Sequence, residues 1–149
     1  MNVSATESAR QVLEVVPAVM RGIRALMRES AKRKLSVPQF RTLGFINHHR
    51  GASLSDVAEH IGLTLPSMSK LVDGLVERKL IVRSGHADDR RRITLELTSR
   101  GCALWESARE STQASLVEKL STLNENDRAT VVRAMRILQP LFAHEHTDD

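Results

Sequence analysis

Between Ser84 and Arg92 the chain reads SGHADDRRR and ends in the consecutive arginines Arg90, Arg91 and Arg92. A guanidinium is permanently charged and presents a planar fork of donors, which suits phosphate and a narrow, electronegative groove of a duplex. Asp88 and Asp89 would be repelled by phosphate unless they serve the arginines. We read Asp89 as orienting Arg91 through a charge-assisted pair that limits its rotamers in advance. Earlier in the chain, Thr64, Ser67, Ser69, Lys70, Asp73 and Glu77 share the polar face of a helical pattern. That face is small near its N-terminal end, as a helix entering a major groove requires if it is to reach base edges.

The elements that must position these side chains are legible around them. Leu54, Val57, Ala58 and Ile61 recur at helical spacing, with Ser53 and Asp56 forming a capping box and Gly62 as the stop. Thr64 then caps a second helix that tolerates Pro66 in its first turn, with Leu65, Met68, Leu71, Val72, Leu75 and Val76 expected as its buried stripe. At Leu80 the pattern changes from helical to extended. Leu80, Ile81 and Val82 suit a strand, and Ile93, Leu95 and Leu97 alternate with Arg92, Thr94 and Glu96 in a second one. Two helices followed by a hairpin with a cationic tip define a winged helix-turn-helix, and the arginine-rich tip favours double-stranded DNA as the partner over a protein-docking version of the same fold.

Upstream, Val12, Val15, Val16, Val19, Ile23, Leu26 and Met27 keep a helical period from Glu7 to about Lys34, with Pro17 expected to bend or restart the helix. This face has no obvious partner in its own chain and suits a dimer interface. Ser36 and Gln39 frame the next helix, which carries Phe40, Leu43 and Ile46 and ends near Arg50. After the hairpin, Thr98 caps a long helix bearing Cys102, Trp105, Ala108, Leu116 and Leu120. Asn124 and Asp127 open a last helix, in which Val131, Val132, Met135, Leu138 and Phe142 are expected to face inward and Pro140 limits the end. The fold expected is therefore mainly α with a small β-hairpin wing, flanked by N- and C-terminal dimerisation helices. Residues 1–35 and 99–149 would form the helical dimerisation lobe, and 36–98 the winged helix-turn-helix lobe.

Composition bounds the remaining possibilities. The 149 residues carry Lys+Arg 22 against Asp+Glu 18, a net charge of +4 that matters because its cations are concentrated. One cysteine allows no intrachain disulfide, the N-terminus lacks a signal-peptide pattern and no apolar run spans a membrane, so a cytoplasmic location is expected. There is no glycine-rich phosphate loop, G-x-S-x-G sequence or recognisable catalytic carboxylate pair, so an enzyme is not expected, nor is a cofactor. Of the six histidines, His48 and His49 point about 100° apart on a helix, His144 and His146 sit in the tail, and His60 and His86 lack ligands at metal spacing; no metal site is expected. Cys102 lies in the first turn of its helix, where a dipole can lower a thiol pKa, which leaves a redox-responsive regulator as an alternative.

The segment resembles the MarR family of bacterial transcriptional regulators. The resemblance rests on Asp89-x-Arg91, Leu97-Thr98-x-x-Gly101, the helix pair and Leu35-Ser36-x-x-Gln39-Phe40-x-x-Leu43. It implies a homodimer with interlocked terminal helices and one winged helix-turn-helix per subunit, each reading half of a near-palindromic site. By the same resemblance Ser67, Ser69 and Lys70 face the major groove, and Arg91 enters the minor groove steadied by Asp89 and flanked by Arg90 and Arg92. A repressor released by a small molecule is implied, often an aromatic carboxylate held between the two lobes. Arg21, Arg24 or Arg28 would receive the carboxylate, and Trp105, with Phe40 or Phe45, is among the few rings available for stacking. Two positions depart from the family pattern. Gly74 replaces a basic groove-facing residue, and Lys79 replaces the usual glycine after the recognition helix, where a left-handed conformation costs about 1 kcal/mol.

Overall fold

Local side-chain chemistry sets most of the element boundaries in the computed structural model, which describes residues 2–30, 34–85 and 93–143. The order is α1 (Ala5–Ser30), α2 (Val37–His48), α3 (Leu54–Ile61), α4 (Leu65–Glu77), β1 (Ile81–Ser84), β2 (Thr94–Leu97), α5 (Ser99–Leu120) and α6 (Glu125–Phe142). Ser36 and Gln39 close a reciprocal capping box on α2, as do Ser53 and Asp56 on α3. Gly62 ends α3 in the left-handed region at φ 81°. The helix α1 runs without a break through Pro17, and its N-terminal end carries Arg10 paired with Glu7 at 2.7 Å and Glu14 at 3.1 Å. The hydrogen bond from Arg10 holds the exposed Glu7 carboxyl below the usual carboxylate range.

By packing, the chain divides into two units, 1–113 and 114–149. In the first, α2, α3, α4 and the hairpin enclose one core in which Leu43, Val57, Met68, Val72 and Leu75 are fully buried, with Leu80, Ile81 and Leu95 almost so. The strands pair antiparallel, Ile81 opposite Leu97 and Ser84 opposite Thr94. A third extended piece joins them: Ser53 bridges Thr94, and the Leu95 amide donates to the Ala52 carbonyl at 2.9 Å. The hairpin is thereby tied to the start of the helix-turn-helix by backbone as well as by core packing. No sequence periodicity pointed to this.

Thr98 joins the hairpin to α5. Its hydroxyl donates to the Lys79 carbonyl at 2.6 Å and accepts from the Gly101 amide at 3.0 Å, while its amide donates to the Leu80 carbonyl. Any Cβ at Gly101 would overlap that same Leu80 carbonyl, so α5 can approach the end of α4 this closely only with glycine there. The Leu97-Thr98-x-x-Gly101 pattern is thus a junction between strand, cap and helix. Trp105, one turn on, is 5% exposed and packs near Phe40, the edge of His48 and the Arg109 guanidinium, and its Nε1 meets no acceptor among the described residues.

The second unit comprises the end of α5 and α6. Asn124 caps α6 by accepting from the Asp127 amide at 2.9 Å. Contrary to the inward orientation expected from periodicity, Val132, Met135 and Phe142 are 48%, 54% and 68% exposed in the single chain, and no residue of α6 is buried. On α1, Leu13, Val15, Val16 and Val19 are likewise exposed. Helical period identifies an apolar face but not which molecule covers it.

Candidate nucleic-acid interface

The N-terminal half of α4 stands out from the core with a polar surface. Thr64 caps it, accepting from the Ser67 amide at 3.3 Å and donating to the Ser67 hydroxyl at 3.0 Å. Met68, Val72 and Leu75 anchor the opposite side, leaving Ser67, Lys70, Asp73 and Glu77 exposed and Ser69 half-buried. Leu65 corrects the expected stripe: in the first turn of α4 it is 51% exposed, where Met68 one turn on is fully buried. Gly74 is a genuine gap, since among the described residues a Cβ at this position meets no atom within 4 Å beyond its own helix.

The C-terminal end of α4 is held as firmly as its start. The Lys79 amide donates to the Val76 carbonyl and the Leu80 amide to the Leu75 carbonyl, both at 2.9 Å, with Lys79 at φ 61°. This is a Schellman closure built on a non-glycine residue, so the left-handed Lys79 anticipated from the sequence is present. It also draws Leu80 into the turn and delays the strand to Ile81–Ser84, one residue later than expected. Arg78, the C-cap residue, reaches back to donate to the Lys34 carbonyl at 2.5 Å and to Gln39 Oε1 at 3.5 Å.

A second link crosses from α4 to the hairpin, where Arg83 of β1 donates from Nη2 to Asp73 Oδ1. Sequence reasoning missed this pair, since the partners lie on different elements at no diagnostic spacing. Asp89, Arg90, Arg91 and Arg92 fall outside the described residues. Arg21, Arg24 and Arg28 are exposed along α1. Cys102 is half-buried and lines a cavity of about 270 Å³ with Ile46, Asn47, Arg50, Glu96 and Leu97. Among the described residues no helix is long and apolar enough to cross a membrane, and no cluster of metal-ligating side chains forms.

A capped helix-turn-helix whose second helix is exposed along its polar side, followed directly by an antiparallel hairpin, defines a winged helix-turn-helix protein. The model described as MarR family matches residues 34–92. The chain is 28% identical over 110 residues to the uncharacterized HTH-type transcriptional regulator YfiV of Bacillus subtilis (strain 168), covering 74% of this chain and 69% of that one. It is 27% identical over 133 residues to the HTH-type transcriptional repressor MdtR of the same organism, covering 89% and 84%. Among solved structures, a MarR family protein from Bacillus stearothermophilus superposes with a TM-score of 0.79 over 95% of this chain and 100% of that one, at 16% identity. Residues 34–92 thus resemble the MarR family of transcriptional regulators, and the fold of the chain is that of a solved MarR family protein.

Proposed function

We propose that two copies of this chain form a sequence-specific DNA-binding repressor of the cytoplasm, which lays one α4 in each of two successive major grooves and one hairpin tip in each adjacent minor groove. The observation that carries this is the surface of α4: a helix locked at both ends and anchored by Met68, Val72 and Leu75 presents Ser67 and Lys70 to solvent beside a hairpin fixed to the same core. Ser67 and Ser69 offer donors and acceptors to base edges, and Lys70 a charge to base or phosphate. Arg91 at the wing, oriented by Asp89 and flanked by Arg90 and Arg92, enters the minor groove. The apolar faces of α1 and α6 support the homodimer, and the name of the relative MdtR supports repression.

Release would follow when a small carboxylate favours a dimer whose two α4 helices are wrongly spaced, and it can shift that balance only by its difference in affinity for the two arrangements. Arg21, Arg24, Arg28 and Trp105 are the candidate contacts for it. The test begins with selection of bound duplexes from random DNA by the full-length protein. Arg91→Ala should then weaken binding to the enriched duplex by about 1–3 kcal/mol in a mobility-shift titration. Undiminished affinity would remove the wing from recognition, and enrichment of no duplex at all would remove DNA as the partner.

A further inference from the structure

When a helix occupies a major groove and the hairpin beside it occupies the adjoining minor groove, one sugar-phosphate strand must run between them, because that strand is the ridge dividing the two grooves. Side chains in the crease between α4 and β1 therefore face a line of phosphates. The crease holds Arg83 and Asp73, joined by a hydrogen bond from Nη2 to Oδ1.

Each residue reaches this place for a definite reason. Arg83 lies two residues beyond the buried Ile81 and opposite the buried Leu95, so its side chain leaves β1 on the side that packs toward α4. Asp73 follows Lys70 by one helical turn and shares its face. The two side chains keep 38% and 60% of their surface in solvent, and an ion pair so exposed adds little to stability. Its effect lies in geometry. A guanidinium has five N–H donors, and the bond from Nη2 to Asp73 Oδ1 engages only part of that set.

Resting on the DNA-binding reading above, we propose that Arg83 contacts a backbone phosphate and that Asp73 is a positioning residue for it with a second consequence for specificity. The carboxylate limits the rotamers of Arg83 before DNA arrives, and its own negative charge disfavours phosphate wherever base contacts do not compensate. Duplexes lacking the recognised sequence are penalised more than the operator.

The experiment measures fluorescence anisotropy of the full-length protein against two probes, the duplex enriched from the random library and a random-sequence duplex of equal length, from about 50 to about 200 mM KCl. Arg83→Ala should lower the slope of log affinity against log salt by about 0.9 and weaken both probes by a similar factor, on the order of tenfold at the low-salt end. Arg83→Gln keeps the stem and a donor without the charge and should show the same loss of slope, while Arg83→Lys should retain the slope. Asp73→Asn should tighten the random probe more than the enriched one, so that their ratio falls severalfold. Thermal melting of each variant establishes that the fold is kept. An unchanged slope in both Arg83→Ala and Arg83→Gln would place the crease away from phosphate and overturn the inference. An equal change at both probes in Asp73→Asn would overturn the role given to Asp73. If Arg91→Ala loses affinity while the Arg83 variants do not, only this inference fails; if wild type binds neither probe, the reading beneath it fails too.

Discussion

Lys79 concentrates the local cost of the fold in one residue. Its backbone sits at φ 61°, where a Cβ crowds the following carbonyl, yet the Schellman bonds of Lys79 and Leu80 and the hydroxyl of Thr98 all converge on this turn. The surroundings determine the conformation, and the side chain only makes it more costly. Lys79→Gly is therefore expected to stabilise the protein by about 1 kcal/mol, less whatever glycine adds to the entropy of the unfolded chain. Urea denaturation would show a higher midpoint at an unchanged m-value. A lower midpoint would mean that the lysine side chain makes a compensating contact. The neighbouring Gly101 carries the opposite constraint, because there the limiting contact is the Leu80 carbonyl and any side chain must displace it.

At the scale of the element, α4 has a weakness at its centre. Gly74 interrupts a helix that is otherwise well anchored, and among the described residues nothing fills the space beyond its Cα. Glycine in a helix interior costs about 1 kcal/mol relative to alanine, and arginine is among the better helix formers. Gly74→Arg should accordingly raise the unfolding midpoint and, if α4 lies in the groove, tighten DNA binding with a steeper salt dependence. A stabilised protein with unchanged affinity would separate the structural effect from the interface and place position 74 off the DNA. Caps and stops of these helices were legible in the sequence because they depend on bonds between residues three or four apart: Ser36 with Gln39, Ser53 with Asp56, Thr64 with Ser67, and the glycine at 62. What escaped reading depends on neighbours distant in the chain. Leu65 falls in register with Met68, but register gives the direction of a side chain and not how far the packed surface extends beneath it. The bridge from Ser53 to Thr94, the reach of Arg78 to Lys34 and the Asp73–Arg83 pair join separate elements, and no local spacing announces them. Of the candidate site, the polar side of α4 was readable and the crease beside it was not.

For the molecule as a whole, the informative surfaces are those a single chain leaves uncovered. On α1, Leu13 is 77% exposed; on α6, Leu141 and Phe142 are 71% and 68% exposed. Isolated apolar residues on a surface are ordinary, but successive turns of two long helices with apolar residues in water are not, and contiguous patches of this kind mark association sites. A second copy is the partner that would also account for the proposed DNA recognition, since two α4 helices on a two-fold axis can meet successive major grooves roughly 34 Å apart. Charge placed on the α6 face tests both ideas together. Val132→Asp combined with Met135→Asp should yield a monomer by analytical ultracentrifugation, because desolvating carboxylates in an apolar interface is prohibitive while leaving them in water costs nothing. Both positions are exposed in the single chain, so helicity and the melting of the winged unit should persist. Affinity for a two-half-site duplex should fall on the order of 10²-fold or more, because the second half-site is no longer presented at high effective concentration. Affinity for a duplex carrying one half-site should change far less. If the variant remains dimeric and keeps its full affinity, α6 is not the surface that joins the copies, and the spacing of the two α4 helices must be set elsewhere.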